Sequence, residues 1–573
     1  MTARRCRVAA SVVVGCAVVI SMSCTGKPSS DDKTLELPIF DDVTSSLSLA
    51  FVHDNGFDGK HYRVAETVNG GVGLLDVDQD GLLDIYFTNA NKLDAGSHPS
   101  RDSLHRRNVD GKYEDISTRA GVGDAGFSFG CSVADLNGDG YPELFVTRWG
   151  VNRLFKNNRN GTLTDSAADA GLTEASMHTG SAFFDMDKDG DLDLYVASYV
   201  KDEGGDYPPV VVRGAPGYWP PRNYQAAQHH LYKNQGDDRF VDVSQEAGIL
   251  DIMDPGRGLG VVSADFNNDG NADIYVANDM SANFMFMGDG TGRFSEAGFA
   301  NGTALGDQGE ELGSMGVAVA DYDRDGWQDI CVTNYQNQVN NLYRRTGTGN
   351  YEEMSRVSGI AQGALPEVSW GAGFADFDND SWVDLFIANG HLNPFTNEMD
   401  QSTLYAQPKK LFRNLGGGKF ENITTRAGNA LRKPSVGRGA AFGDLDNDGD
   451  VDVVLGVSNG APEILINRGR PRLAWALVRL EGSGQNRDAI GARVSVTANG
   501  QTQIAERQSA SSYLSVNDCR LHFGLGKASR VDRLEVIWPS GKRTAYQDLP
   551  VGKLLGVKES SSVVSVEEIL SKK

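Results

Sequence analysis

Seven stretches of this chain repeat one pattern, Asp-x-Asp/Asn-x-Asp-Gly-x-x-Asp, and its side chains offer only oxygen donors. The first three copies place Asp76, Asp78, Asp80 and Asp84; Asp135, Asn137, Asp139 and Glu143; and Asp185, Asp187, Asp189 and Asp193 at positions 1, 3, 5 and 9. The next two place Asp265, Asn267, Asp269 and Asp273, and Asp321, Asp323, Asp325 and Asp329. The last two place Asp376, Asp378, Asp380 and Asp384, and Asp444, Asp446, Asp448 and Asp452. Two carboxylates about 4 Å apart repel by roughly 4 kcal/mol at an effective dielectric of 20, so such crowding needs an offsetting charge or solvent. The four side chains converge if the backbone turns sharply at position 6, where Gly accepts a positive φ. The carbonyl of position 7 can join them. Anionic oxygens in that number suit a hard cation, and Ca2+, which takes six to eight oxygens in loose geometry, fits better than Mg2+.

An EF-hand loop would also space its acids this way, but it needs Glu at position 12 and flanking helices. Position 12 here is Phe87, Val146, Val196, Val276, Val332, Ile387 or Leu455, all apolar strand formers, so the EF-hand is excluded. A polar hairpin without an ion would account for one copy but not seven. The Asn137, Asn267 and Ser381 copies are expected to bind more weakly. Charge supports the cation reading. The 573 residues carry a net −23, and seven divalent cations would add 14 charges, taking it to about −9. The same acidity excludes nucleic acid as a partner, since phosphate binding needs a basic surface.

The elements that position these loops also repeat. Leu-aromatic-basic-Asn phrases ("LHRRN", "LFKNN", "LYKNQ", "LYRRT", "LFRNL") recur in step with the loops. So do aromatic-acid phrases such as "YEDISTRAG" and "FVDVSQEAG". Each period of about 50 to 80 residues reads as four short strands, the size of a propeller blade. One blade cannot bury both faces, so the units must pack radially. The expected fold is all-β: a seven-bladed β-propeller over 37–468, followed by a small C-terminal β domain over 469–560 and a tail, 561–573. The chain opens on a last-strand phrase, so Phe40 to Val43 is expected to complete the seventh blade beside 463–467. The 68 glycines fit many tight turns.

These residues resemble FG-GAP/VCBS-type calcium-binding repeats, and "FSFGCSVADLNGDGYPELFV", residues 127–146, carries that signature nearly whole. "NRDAIGARVSV", "LHFGLG" and "VDRLEVIWPSGKR" resemble the ASPIC/UnbV domain that follows such repeats. The resemblance extends to the cartilage acidic protein group and implies an extracellular protein. Within the C-terminal domain, Asn486, Arg487 and Asp488 sit in a turn that could bind something but reads first as structural, and His522 reads as a satisfied core histidine.

The N-terminus reads as an export signal, 1–24. Arg4, Arg5 and Arg7 precede an apolar run that is short for a membrane span. Cys24 is a candidate lipidation site and first mature residue, with a tether over 25–36. This makes the protein a cell-envelope lipoprotein, or a secreted one, that meets membrane only through its anchor. Cys131, Cys331 and Cys519 form no disulfide framework.

Catalytic signatures are missing. "GVSNG", residues 456–460, matches a nucleophile elbow by letter, but no helix follows it. Two insertions, 207–230 and 389–410, break the period. Tyr218, Trp219 and Tyr224 in the first could stack on a sugar or peptide, or pack as a cap. His391 and Tyr405 in the second could join them above the channel. The sequence thus reads as an exported calcium-binding scaffold or binding protein for an unknown protein or glycan, with Ca2+ structural in up to seven loops. The alternative is a glycan-active hydrolase or lyase using the insertions.

Overall fold

Each acidic loop is the hairpin between the first two strands of a four-stranded antiparallel sheet. The computed structural model describes residues 37–92, 100–123, 125–201, 208–212, 214–236, 238–400, 402–469 and 473–568. The export signal, Cys24 and the tether lie outside them. In the first unit, Val72–Leu75, Asp84–Phe87, Ser103–Arg107 and Tyr113–Asp115 pair in chain order. Five further units repeat that order among the described residues, and a seventh does so with its fourth strand taken from the start of the chain. The second and third are joined into one sheet where Ala175–Met177 pairs with Trp149–Val151.

The expected closure between chain ends is present. Phe40–Asp42 pairs with the Glu463–Asn467 strand, Phe40 opposite Asn467. Phe40 is fully buried against Phe377, their rings 5.5 Å apart. The first strands of successive units pack side by side through all seven, and Gly437–Gly443 of the last returns to Val72–Leu75 of the first. Hydroxyls bind neighbours together: Thr88 donates to Phe129 O at 3.0 Å and Thr333 to Trp370 O at 2.6 Å. The apolar cores lie between facing sheets, as in the cluster joining Leu342 and Cys331 to Leu385 and Phe412.

Residues 474–567 form two four-stranded sheets around a core containing Val494, Leu534 and Trp538. The last strand, Ser565–Glu567, pairs with Lys553–Lys558, so the β domain runs beyond residue 560 into what the sequence suggested was a tail.

A segment of this domain, 507–520, fills the middle of the cycle of first strands. Ser512 and Val317 exchange backbone hydrogen bonds, Leu74 donates to Val516 O at 3.0 Å, and Ser509 bonds Phe183 through both backbone groups. Tyr513 at its tip is fully buried, donates its hydroxyl to Val68 O at 2.8 Å and stands edge-on to Trp370 at 5.0 Å. A Cβ at Gly71 would collide with Leu514 O, so this position must lack a side chain. Nothing in the sequence announced this segment. It is polar and aperiodic, and its partners are mostly backbone groups hundreds of residues away.

Candidate metal centre

Backbone amides hold the loop carboxylates in a common frame. In all seven loops the position-6 amide donates to the carboxylate at position 1, from Gly81 to Asp76 through Gly449 to Asp444. The position-7 amide donates to position 5 in every copy. Position 9 accepts from a third-strand amide in every copy, as Asp84 does from Arg107 and Asp193 from Asn234. Position 4 is left-handed throughout, including Lys188 and Arg324, both at φ 62°. The sequence hinted at this only through Gly138, Asn268, Asn379 and Asn447.

Ser381 occupies the position-6 turn at φ 80°. A non-Gly residue there costs about 1 kcal/mol, so Ser381→Gly should stabilise the protein by about that amount in urea unfolding.

Position 3 is held less firmly: Asp323 and Asp378 accept only from a position-5 amide, at 3.2 Å, that also donates to position 1. In five loops one oxygen from each of three carboxylates falls within 4.8 Å of the others: Asp76, Asp78 and Asp84; Asp185, Asp187 and Asp193; Asp321, Asp323 and Asp325; Asp376, Asp378 and Asp384; Asp444, Asp446 and Asp452. Buried Oδ1 atoms of Asp78, Asp187 and Asp446 have no hydrogen-bond partner, nor does Asp384 Oδ2. Orphaned anionic oxygens inside a carboxylate cluster are the donor set a divalent cation requires. The Ser381 loop is among the five, so the substitution has not dispersed its acids.

The second and fourth loops are not among them. Asn137 turns its amide onto Glu143 at 3.1 Å, and Asn267 turns its amide onto Asp269 at 2.8 Å. There the structure leaves Asp135, Asp139 and Glu143, and Asp265, Asp269 and Asp273, without a three-carboxylate cluster.

Burial without a cation raises the carboxyl pKa values, and neighbouring carboxylates add to it. Asp76 and Asp185 rise to about 6, Asp321 and Asp444 to about 7, and Asp193 and Asp273 to about 8. Glu143 is pushed up to about 8, also by burial first. Asp84, Asp329 and Asp452 are likewise pushed well above the usual carboxylate range, by burial first.

Positive side chains from the third strand, or in the seventh unit from just after it, already reach these clusters. Arg106 pairs with Asp78 and, at 3.0 Å, with Asp80. Lys233 bridges Asp187 and Asp189, and Arg344 bridges Asp323 at 3.1 Å and Asp325 at 3.9 Å. Arg413 bridges Asp378 at 2.6 Å and Asp380 at 2.7 Å, and Arg468 pairs with Asp446 at 3.0 Å.

The C-terminal domain lies on the acidic loops. Asp488 accepts from the Asp135 amide at 2.9 Å, and the Asn486 amide donates to Gly190 O at 3.1 Å. Arg487 reaches Gly138 O, Glu506 accepts from the Asp265 amide at 3.1 Å, and Arg520 donates to Asp444 O at 2.9 Å. His522 bonds Gly449 O at 3.0 Å, and burial lowers its pKa to about 4. The turn at Asn486 to Asp488 is therefore a docking element, where its sequence read first as structural.

Several apolar side chains of the insertions pack against the rest of the chain. Tyr224 is buried, with Trp219 packed on the cluster that holds Tyr513 and Trp370. Trp219 donates to Pro208 O at 3.0 Å, and Tyr218 stands edge-on to Tyr62. His391 is buried beside Thr396 Oγ1 at 2.6 Å, its pKa lowered to about 4 by burial and then by Arg438. Tyr405 holds the His391 amide through its carbonyl at 2.8 Å.

Residues 76–146, 135–196, 223–276, 265–332, 321–387 and 401–455 match the FG-GAP-like repeat family, and residues 482–564 match ASPIC and UnbV. Cartilage acidic protein 1 of Homo sapiens is 26% identical over 514 residues, covering 86% of this chain and 72% of the relative. The Xenopus tropicalis protein of that name is 25% identical over 482 residues, covering 83% and 71%. A solved Agrocybe aegerita lectin, which recognises non-reducing terminal N-acetylglucosamine, aligns at a TM-score of 0.39. It is 14% identical over 67% of this chain and 88% of the lectin.

Proposed function

Since the chain belongs to the FG-GAP-like repeat family and carries an ASPIC and UnbV domain after its repeats, we propose that it is an exported, calcium-binding seven-bladed β-propeller that acts as a binding or scaffold protein. Seven four-stranded units packed in a cycle support the propeller. Export rests on the Arg-rich start and apolar run of the sequence, and the envelope anchor on Cys24. Among the described residues no helix is long and apolar enough to cross a membrane.

The observation that carries the calcium reading is the set of five three-carboxylate clusters, four of them with buried, unpartnered oxygens inside. Positions 1, 3, 5 and 9 would supply the side-chain ligands and position 7 a carbonyl. Bound Ca2+ would neutralise mutually repelling carboxylates and tie each hairpin, a structural role. The binding reading is favoured over an enzyme because segment 507–520 fills the centre of the cycle and apolar side chains of the insertions pack against the rest of the chain. The partner would be an envelope protein or glycan.

Equilibrium dialysis against calcium, with metal counted per protein, tests the reading. At least five ions are expected, falling by one in Asp187→Asn. Fewer than two bound ions in millimolar calcium would contradict it.

A further inference from the structure

Four third-strand cations stand where a metal would be needed. Arg106, Lys233, Arg344 and Arg413 each bridge the carboxylates at positions 3 and 5 of their own loop. Their presence follows loop composition. Every loop with four acids has a basic side chain paired with its position-3 carboxylate, Arg468 serving the seventh. The two loops with Asn at position 3 do not. The matching residue of the fourth is Met287, and that of the second, Lys156, turns away to Asp238 at 2.7 Å. Counting positions 1, 3, 5 and 9 with the cation paired to them, six of the seven loops carry −3, and the second carries −2 because Arg159 pairs with Asp139 at 2.7 Å.

The hydrogen bonding shows where calcium and the cation would conflict. At position 5 one oxygen already accepts the position-7 amide: Trp382 donates to Asp380 Oδ1 at 2.9 Å. The other, Asp380 Oδ2, takes Arg413. A calcium ion drawing on position 5 must compete for that oxygen. At position 3 the cation takes Oδ2 and leaves Oδ1 without a partner in Asp78 and Asp187.

Building on the calcium reading, we propose that Arg106, Lys233, Arg344 and Arg413 are built-in counter-ions of the calcium-free loops. Each holds its loop together without metal, is displaced from position 5 on loading, and so sets the calcium affinity of its own loop. They are affinity-setting residues, not ligands.

Trp382 and Trp327 occupy position 7 of the sixth and fifth loops, so terbium bound there should luminesce on tryptophan excitation. Trp382→Phe assigns the sixth-loop signal. Terbium titration, and its displacement by calcium, should show Arg413→Met binding both metals about tenfold tighter, the factor expected for removing one partly buried ion pair from a competing state. The variant should melt lower than wild type without metal and level with it in calcium. Lys233→Met, the same change in the third loop, should tighten one site in calorimetric calcium titration, and it tests the claim if Arg413→Met does not fold. Unchanged or weaker metal binding by the variant tested overturns the proposal. Wild-type protein that binds neither metal overturns the calcium reading with it, whereas normal wild-type binding confines the failure to the counter-ions.

Discussion

Stripped of divalent cations at pH 8, the protein is expected to melt at least about 10 °C below its calcium-loaded form. A ligand at a hundredfold excess over Kd stabilises by about 2.7 kcal/mol per site, so five such sites contribute on the order of 10 kcal/mol. The direction with pH should be opposite in the two forms. Unfolded aspartates titrate near ~4, whereas the folded, metal-free chain holds Asp76 at about 6 and Asp193 and Asp273 at about 8, raised by burial and then by neighbouring carboxylates. Between those values the folded chain binds more protons than the unfolded one, so its stability is fully present below the unfolded pKa and is lost as pH rises through the folded pKa. Metal-free protein should therefore melt higher at pH 5 than at pH 8. Calcium needs the deprotonated oxygens, so the loaded protein should reverse that order. Calorimetric scans at the two pH values, with chelator and with calcium, check both statements. A calcium-independent melting curve would refute the first.

The second large effect belongs to the segment that fills the centre. Tyr513 is fully buried, edge-on to Trp370, and its hydroxyl satisfies Val68 O. Truncating a buried aromatic to Ala costs about 3–5 kcal/mol. Tyr513→Phe loses only the hydrogen bond, about 1 kcal/mol. Urea unfolding of the two variants should separate by that margin. A loss below ~1 kcal/mol for Tyr513→Ala would mean that the segment leaves the cycle in solution. It would also reopen the channel as a ligand site, weakening the preference for a scaffold over an enzyme.

These effects depend on features that the sequence displayed unequally. The acids at positions 1, 3, 5 and 9 were legible because they recur at fixed spacing and need no tertiary information. Phe40 was legible too, since a last-strand phrase at the start of the chain has only the far end to pair with, and it sits opposite Asn467. The basic residue of the third-strand phrase was visible, but its target was not. Arg413 meets Asp378 across two strands of register, which the spacing along the chain does not encode. Ser381 suggested a weakened loop, yet Asp376, Asp378 and Asp384 still converge, because the Ser381 amide donates to Asp376 as Gly does elsewhere. Asn137 and Asn267 did mark the two loops without a three-carboxylate cluster, because an amide group donates to a neighbouring acid where a carboxylate would add another anionic oxygen.

Least legible was the central segment. Ser509, Ser512 and Ser515 look like loop residues, and their roles come from pairing with backbone at Phe183, Val317 and Val72. Hydrogen bonds to main chain carry no side-chain signature in the partner. The same holds for Asn486 to Asp488, whose contacts fall on the Gly138 and Gly190 carbonyls and the Asp135 amide.

The most direct measurement is a crystal structure of protein equilibrated in millimolar calcium, with anomalous difference density calculated at the hairpins. The account predicts metal peaks within oxygen-ligand distance of Asp78, Asp187, Asp323, Asp378 and Asp446, with Arg413 drawn off Asp380. Hairpins holding only water, their guanidinium and ammonium groups still in place, would contradict it.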